Sequence, residues 1–329
     1  MRKGNAQLGS ALAEPIRRFV AHKRALNRRF HNEESTLRML DRYLVEQGVL
    51  DLLGVKPAVV EAFLSSRPRI RPRSYNRLLA IVRGLFDWMV AQQMLDASPV
   101  QVRPRRDTTR RAPYLFDLPS ASRLIEIAAA LPDSRRATLR GPTYATIFAL
   151  LFGLGLRCGE AARLTRADVD LGRQLLVIRE TKFGKSRLVP FGPSMAARLA
   201  AYIQLRERKS RKLTVEAPIF SFTSGRPIHP AVISQIFHKL VSSLGLAVPS
   251  GVRPPCAHHL RHSFAVGTLL RWYHEGADPG AQLLHLSTFL GHVKPASTAV
   301  YLTITADLLQ AAGERFERFA TPLSTYGVP

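Results

Sequence analysis

Apolar residues recur at helical spacing through residues 10–97. Side chains three or four positions apart lie on one face of an α-helix, so each apolar stripe predicts a helix with one buried side. The stripes contain Leu37, Leu40, Tyr43 and Leu44; Val59, Val60, Phe63 and Leu64; and Leu78, Ile81, Val82, Leu85, Phe86 and Met89. This pattern predicts an N-terminal domain built from helices, which we place at residues 1–97.

Two stretches rich in arginine and proline interrupt the helical pattern. Arg67–Arg73 alternates the two residue types, which predicts an extended basic loop because proline breaks helices and the arginines repel one another. Residues 98–113 hold three prolines and five arginines with almost no apolar periodicity. We interpret residues 98–113 as a basic interdomain linker, and residues 114–329 as a second domain.

The second domain combines helices with a short β-hairpin. The segments Leu175–Thr181 and Ser186–Phe191 flank a turn at Lys182–Lys185, and we interpret them as the two strands of the hairpin. Helices are predicted at residues 119–131, 142–156, 193–209, 230–244, 258–274, 280–290, 295–302 and, as an amphipathic tail, 307–319. The fold class predicted from these elements is mainly α with a small β-sheet (α+β).

The charge of the chain indicates a polyanionic partner. It carries 48 Lys and Arg against 24 Asp and Glu, a formal net charge of +24, with about half of the excess in residues 1–112. Nucleic acid is the usual partner of so basic a protein, and both predicted domains would face it. A protein that only gains solubility from its charge is the alternative on composition alone.

Other features narrow the class of protein. Cys158 and Cys256 are the only cysteines, so neither a disulfide framework nor a cysteine zinc site is indicated. The longest apolar stretch, Tyr144–Leu156, is too short to span a bilayer. The first residues are basic but lack the apolar core of a signal peptide. We therefore expect a soluble protein of the cytoplasm.

The last third of the chain holds groups suited to phosphodiester chemistry. His258 and Arg261 are three residues apart, on one face of a predicted helix, and His292 and Tyr301 follow. Cleavage of a phosphodiester by a side chain needs a nucleophile, cations for the charged transition state and a proton for the leaving oxygen. Tyrosine is a weak nucleophile at neutral pH, since its pKa is about 10, and cationic neighbours or a base would have to activate it. Arginine could grip the phosphate with two donors at once.

These motifs, taken in order, resemble those of the tyrosine recombinase/integrase family. They are Gly-Leu-Arg-x-x-Glu at Gly155–Glu160, a hairpin lysine, His-x-x-Arg at His258–Arg261, Leu-Gly-His at Leu290–His292, and a tyrosine nine residues later. The resemblance covers nearly the whole chain. It implies an N-terminal helical core-binding (SAM-like) domain and a C-terminal catalytic domain that ends in a docking helix.

The resemblance also implies a role for each matching residue. Arg157 and Arg261 would hold the scissile phosphate, supported by Glu160. Tyr301 would form a 3′-phosphotyrosyl intermediate, exchanging protons with His258. The remaining assignments are His292, which would hydrogen-bond the phosphate, and Lys182, which would protonate the 5′-hydroxyl leaving group, although Lys185 lies in the same turn. The DNA-binding residues we expect outside this set are Arg67, Arg69, Arg71, Arg73, Arg103, Arg105 and Arg106.

The function implied is that of a phage-integrase-like, site-specific DNA recombinase of a mobile element. It would need no cofactor, metal or ATP, and would exchange strands through a Holliday junction as a tetramer on two double-stranded DNA sites. Recombinases encoded by the same element are further partners, and the bacterial nucleoid is the expected location. The amino-acid sequence that begins at Leu290 is similar to that of recombinases carried by bacterial transposable elements.

Other functions remain as alternatives. A type IB topoisomerase would use the same chemistry to relax supercoils, and a DNA-binding protein descended from a recombinase would use no chemistry at all. His259 stands where the family commonly has Asp, and we interpret His259 and His262 as structural or near the DNA. A zinc site at His258 and His262 is disfavoured, because the zincin pattern needs Glu where His259 stands.

Overall fold

In a computed structural model of the chain, the described residues are 8–28, 30–107, 111–179, 186–209, 214–222, 225–292, 296–299 and 301. The chain divides into two compact units, Met1–Arg110 and Arg111–Pro329. The fold class predicted from the sequence, mainly α with a small β-sheet, is confirmed. Among the described residues, no helix is both long and apolar enough to cross a membrane.

The N-terminal unit is built from four described helices. They are α1 (Ala13–Ala25), α2 (His31–Glu46), α3 (Pro57–Ser65) and α4 (Pro72–Ala91). The predicted apolar stripes form its core, in which Leu37, Leu40, Val82 and Leu85 are fully buried. Helix α4 includes Pro72, at the end of the predicted basic loop, because proline is tolerated in the first turn, where its missing N–H costs no hydrogen bond.

The segment that follows α4 packs against that helix as far as it is described. Val100 is buried in the N-terminal core. The side chain of Asn76 donates to the carbonyl of Arg105 and accepts from its N–H, both at 2.7 Å. Arg83 donates to the carbonyl of Val102. The first part of the stretch interpreted as a linker is therefore anchored to the N-terminal unit.

The C-terminal unit surrounds a small sheet with helices. Its elements are α5 (Leu118–Ala129), α6 (Arg140–Gly153), α7 (Cys158–Arg163), β1 (Val169–Asp170), β2 (Leu175–Ile178), β3 (Arg187–Pro190), α8 (Pro193–Lys209), α9 (Pro230–Val241), α10 (Ala257–His274), α11 (Pro279–Leu290) and α12 (Ala296–Ala299). Helix α6 has a run of consecutive buried residues and lies at the centre of the unit's core. The predicted tail helix at 307–319 lies outside the described residues.

The sheet is antiparallel, in the order β1-β2-β3. The predicted hairpin forms with Ile178 opposite Arg187, and the turn itself falls outside the described residues. The third strand, β1, was not predicted, because its two residues are too few to show an alternating pattern. Asp168, just before it, accepts hydrogen bonds from Thr165 and Arg179, so this carboxylate stabilises the approach to the strand.

Candidate active site

Four separate parts of the C-terminal unit contribute charged or ionisable side chains to one cluster. They are the start of α7, the start of β3, the first turns of α10, and the segment that follows α11. The cluster contains Arg157, Glu160, Arg187, His258, Arg261, His262, His292 and Tyr301. Every catalytic or supporting residue expected from the sequence is among them except Lys182, which lies outside the described residues, as does Lys185.

Glu160 is the carboxylate on which the arginines converge. Arg187 donates from both terminal nitrogens to its two oxygens, each at 2.9 Å. Arg157 donates to Glu160 from a side-chain nitrogen at 2.6 Å and from its own backbone N–H at 2.9 Å. Burial would raise the pKa of Glu160, but the hydrogen bonds and charges of Arg187 and Arg157 outweigh it and lower that pKa to about 2. Glu160 is therefore ionised and orients both guanidinium groups.

Arg261 is fully buried and is held by backbone carbonyls. Its terminal nitrogens donate to the carbonyls of Gly155 and Leu290, each at 2.6 Å, and Nη1 lies 3.8 Å from Glu160. Its Nε has no hydrogen-bond partner in the described part of the chain. Burial, and then the charge of Arg157, lower the pKa of Arg261 to about 9, so the group is still charged at neutral pH.

Two glycines shape the backbone around the guanidinium groups. Gly155 has a φ of +60°, and a Cβ there would lie 2.6 Å from Phe264. Gly291 ends helix α11 with a φ of 65°, the left-handed conformation that its place after Leu290 predicts. Its carbonyl accepts a hydrogen bond from Arg157 at 2.9 Å. Both turns therefore require glycine, and both direct carbonyl oxygens toward arginines.

Tyr301 is buried within this cluster, with 3% of its surface exposed. Its hydroxyl lies 2.7 Å from Nδ1 of His262. The ring of His292 stacks beside it, with centroids 6.3 Å apart and planes at 28°. Burial raises the pKa of Tyr301, while the charges of Arg261 and Arg157 act to lower it. The phenol is therefore protonated in this arrangement, with an imidazole against its hydroxyl.

The histidines around Tyr301 are uncharged at neutral pH, because their pKa values are lowered. Loss of surrounding water, followed by the charges of Arg261 and Arg157, lowers the pKa of His292 to about 4. The pKa of His258 is lowered to about 4 by the same causes, although this residue is exposed. A 2.6 Å hydrogen bond joins Nδ1 of His292 to the hydroxyl of Thr298 and fixes the orientation of the imidazole ring. Neutral imidazoles can accept protons, and they add no positive charge of their own.

His259 is buried and has a structural contact. Its Nδ1 accepts a 3.3 Å hydrogen bond from the backbone N–H of Cys256, one of the amides that precede helix α10. A carboxylate at this position would accept the same bond, as in a capping box. His259 therefore caps the start of helix α10, at the position where the resemblance predicts Asp.

The expected DNA-binding arginines all lie in the N-terminal unit. Arg67 is half-buried, and the others, Arg69, Arg71, Arg73, Arg103, Arg105 and Arg106, are exposed. Arg105 differs from its neighbours, because its guanidinium lies 3.9 Å from the ring centroid of Tyr75 and donates to the carbonyl of Arg69 at 2.9 Å. Arg105 thereby brings the two basic stretches side by side.

Two members of the cluster were not expected from the sequence. Arg187 binds Glu160 with two hydrogen bonds; its signal was a lone arginine at the start of an otherwise apolar strand. His262 was interpreted as structural or near the DNA, yet it contacts the hydroxyl of Tyr301. No group of three or more His, Cys, Asp or Glu residues placed to hold a metal occurs among the residues that the structure describes.

Comparison with known sequences gives a consistent set of relatives. Residues 122–307 match the profile of the phage integrase family. The integrase/recombinase y4rB of Sinorhizobium fredii is 32% identical over 314 residues, covering 94% of this chain and 98% of that protein. Tyrosine recombinase XerC of Mesorhizobium japonicum is 28% identical over 266 residues, covering 80% and 79%.

Solved structures show the same fold. The Tn1549 transposon integrase, in complex with a circular intermediate DNA, matches with a TM-score of 0.63 at 17% identity, covering 92% of this chain and 99% of that one. A lambda integrase dimer bound to a COC′ core site matches with a TM-score of 0.62 at 17% identity, covering 90% and 78%.

Proposed function

The chain belongs to the phage integrase family and is a tyrosine-type site-specific recombinase; from this premise we propose that Tyr301 cuts DNA by forming a 3′-phosphotyrosyl link. The observation that carries the proposal is the burial of Tyr301 among arginines and neutral imidazoles drawn from separate parts of the chain. The covalent bond keeps the energy of the broken phosphodiester, so rejoining requires no ATP. The reaction we propose requires no metal either, because the guanidinium groups supply the positive charge.

Arg157 and Arg261 would bind the scissile phosphate. Arg157 keeps 31% of its side chain exposed while Glu160 orients it, so it is the more accessible of the two. Arg261 has an Nε without a hydrogen-bond partner among the described atoms, and this N–H is the donor we assign to a phosphate oxygen. Guanidinium groups held by a carboxylate and by carbonyls need little rearrangement to stabilise a charged transition state.

The proton donors and acceptors follow from the neutral state of the imidazoles. His292 would donate a hydrogen bond to the phosphate from the ring nitrogen that does not contact Thr298. His258 is exposed at the edge of the cluster. It would take part in the proton transfers to and from the Tyr301 hydroxyl. The leaving 5′ oxygen needs a separate donor, and its assignment to Lys182 rests on the sequence motif.

The N-terminal unit would hold the duplex through its exposed arginines. The net charge of +24 supports this proposal, as do the named DNA complexes of the Tn1549 and lambda integrases. We further propose that four protomers act on two sites and exchange strands in pairs through a Holliday junction, on the DNA of a mobile element in a bacterial nucleoid. The tail at residues 307–319 would dock on a neighbouring protomer.

Covalent trapping tests the proposed chemistry. Purified protein is mixed, with EDTA present, with nicked DNA from the ends of its own element, then denatured and scored for a protein–DNA adduct. We expect an adduct that survives EDTA, disappears in Tyr301→Phe and persists in the control Tyr273→Phe. An adduct retained by Tyr301→Phe would mean that another residue is the nucleophile.

Relaxation assays separate recombination from topoisomerase action. Relaxation of supercoiled plasmid without a recombination site, at far less than one protein per DNA, would favour a topoisomerase. Products joined between two sites in one reaction would support recombination.

A further inference from the structure

The hydroxyl of Tyr301 is held by a histidine that the sequence motifs leave without a role. Nδ1 of His262 lies 2.7 Å from the Tyr301 oxygen, and the two ring centroids are 5.3 Å apart. The ring of His258 meets that of His262 edge to face, at 4.7 Å between centroids. Among the described residues, no hydrogen bond joins His258 to Tyr301.

We propose that His262 is a further catalytic residue, whose Nδ1 accepts the hydroxyl proton of Tyr301 as the phenol oxygen attacks phosphorus. The inference rests on the proposed function, in which Tyr301 is the nucleophile. The O–H bond of Tyr301 breaks while an N–H bond forms on His262. A bond from the phenol oxygen to phosphorus then replaces the bond to the 5′ oxygen, and that leaving oxygen takes a different proton, assigned to Lys182.

Geometry supports His262 as the acceptor. A general base must lie within about 2.6–3.2 Å of the atom whose proton it takes, and the 2.7 Å separation meets this condition before any DNA is bound. His262 follows Arg261 directly in helix α10, so the arginine that is proposed to bind the phosphate and the base share one rigid turn. The phosphate and the proton acceptor would therefore be positioned together.

The protonation state of His262 also suits the role. Loss of water, and then the charges of His258, His259, Arg261 and His292, lower the pKa of His262 to about 3. At neutral pH the ring is therefore uncharged, and with its proton on Nε2 it presents a lone pair at Nδ1. A bound phosphodiester brings negative charge into this cationic site, which raises the pKa of His262 when the proton has to be accepted.

His258 fits a position further along the proton path. It is exposed, whereas His262 is half-buried and Tyr301 is buried. A proton that reaches His262 has the exposed imidazole of His258 as its next neighbour toward water. This placement keeps His258 in the reaction while giving the first transfer to His262.

Single-turnover cleavage of nicked DNA by the full-length protein tests the inference. His262→Asn retains an acceptor atom near the position of Nδ1 but cannot take up a proton. We expect its cleavage rate at pH 7 to fall by about 10²–10⁴-fold, the usual contribution of a general base. The matched control is His274→Asn, an exposed histidine in the same helix, which should cleave at the wild-type rate. A His262→Asn rate within threefold of wild type would overturn the proposal.

The pH profile separates proton transfer from mere positioning. Without a base, the Tyr301 proton must go to hydroxide, so the rate of His262→Asn should rise about tenfold for each pH unit between pH 6 and 9. The wild-type rate should vary far less over this range. A uniform loss of rate, with an unchanged pH profile, would mean that His262 only holds the phenol, and the proposal would fall.

A sulfur-substituted substrate identifies the step. DNA with sulfur in place of the bridging 5′ oxygen has a leaving group that needs no proton. Sulfur should restore cleavage to a variant lacking the leaving-group acid, here Lys182→Ala, but not to His262→Asn. Restoration of His262→Asn would place His262 on the leaving-group side and overturn the proposal.

Folding and the proposed function are scored independently. The melting temperature and DNA affinity of His262→Asn are measured, and His262→Gln is the second variant if either property changes. Wild-type adduct formation, lost in Tyr301→Phe, tests the nucleophile by itself. A wild-type adduct at Tyr301 together with full activity of both His262 variants would refute the base while leaving the proposed function intact.

Discussion

Two sets of arginines, one in each unit, are arranged in opposite ways. In the C-terminal unit, Arg157, Arg187 and Arg261 are wholly or largely buried and point at one carboxylate and several backbone carbonyls. In the N-terminal unit, basic residues such as Arg71 and Arg103 are exposed. Buried guanidinium groups have fixed positions and weak screening, whereas exposed ones have mobile side chains and are screened by salt.

This difference separates two tasks that one type of side chain can perform. In the proposed function, the buried set would fix where a phosphate oxygen sits, to within the length of a hydrogen bond. The exposed set would supply a long-range attraction that tolerates many positions of the duplex. The two sets should therefore respond differently to substitution, pH and salt.

The largest expected effect is that of Glu160→Gln. Loss of this buried charge leaves Arg187 and Arg157 without their counter-ion, and breaking a buried ion pair costs roughly 3–5 kcal/mol. The matched control is Glu34→Gln in the N-terminal unit, where Glu34 binds Arg24 and Arg38 at a more exposed site. There we expect a loss of about 1 kcal/mol or less. Urea unfolding measures both, and equal losses would contradict the comparison.

An effect of pH is expected from the buried imidazoles. Burial, and then the charges of His258 and Arg253, lower the pKa of His259 from 6.5 to about 4. The unfolded chain therefore binds the proton first, so the stability from His259 is complete above pH 6.5 and is lost as the pH falls toward 4. The size is roughly 3 kcal/mol for one such group. Unfolding of wild type and His259→Asn across this range should show a shallower fall in the variant.

Protonation of Glu160 should cause a second loss of stability in the same pH series, at lower pH. The pKa of Glu160 is lowered to about 2, so its stabilising charge is fully present above about pH 4.5 and is lost as the pH falls from there toward 2. In Glu160→Gln this acidic part of the fall should be smaller, because the share that comes from Glu160 is lost. A wild-type stability that stays constant from pH 6.5 to 2 would contradict both assignments.

The smallest effect distinguishes two exposed arginines. Arg105→Ala removes the contact with Tyr75 and should lower the free energy of unfolding by about 0.5–1 kcal/mol, the usual value of an exposed cation–π contact. Arg71→Ala should leave stability unchanged. It should instead reduce the slope of log affinity against log salt by about one, if Arg71 binds one phosphate. An Arg71→Ala variant with an unchanged salt slope would remove Arg71 from the DNA contacts.

The fold was predictable where the hydrophobic pattern was strong. Helix α8 was predicted with its observed bounds, and α10 and α11 to within one residue, because long amphipathic segments determine their own buried face. The two-residue strand β1 was missed, since so short a segment shows no periodicity. The packing of Val100 on the N-terminal core was also missed, because prolines and arginines around it hide its apolar signal.

Within the candidate site, only the residues that belong to sequence motifs could be predicted. Arg157, Arg261, His292 and Tyr301 were named from their order and spacing, and the structure brings them together. The bond between Arg187 and Glu160 joins residues 27 apart, and that between His262 and Tyr301 joins residues 39 apart. Such partnerships depend on how elements pack, which spacing along the chain does not encode.

The burial of Arg261 and Tyr301 has a consequence for the timing of the proposed reaction. Arg261 has no exposed surface and Tyr301 has 3%, so a phosphate cannot touch both until some of the atoms around them move. If Tyr301 is the nucleophile as proposed, the free enzyme keeps it away from water and from other phosphate esters. In the proposed reaction, contacts made elsewhere with the duplex would supply the free energy for that opening, and cutting would wait until they have formed.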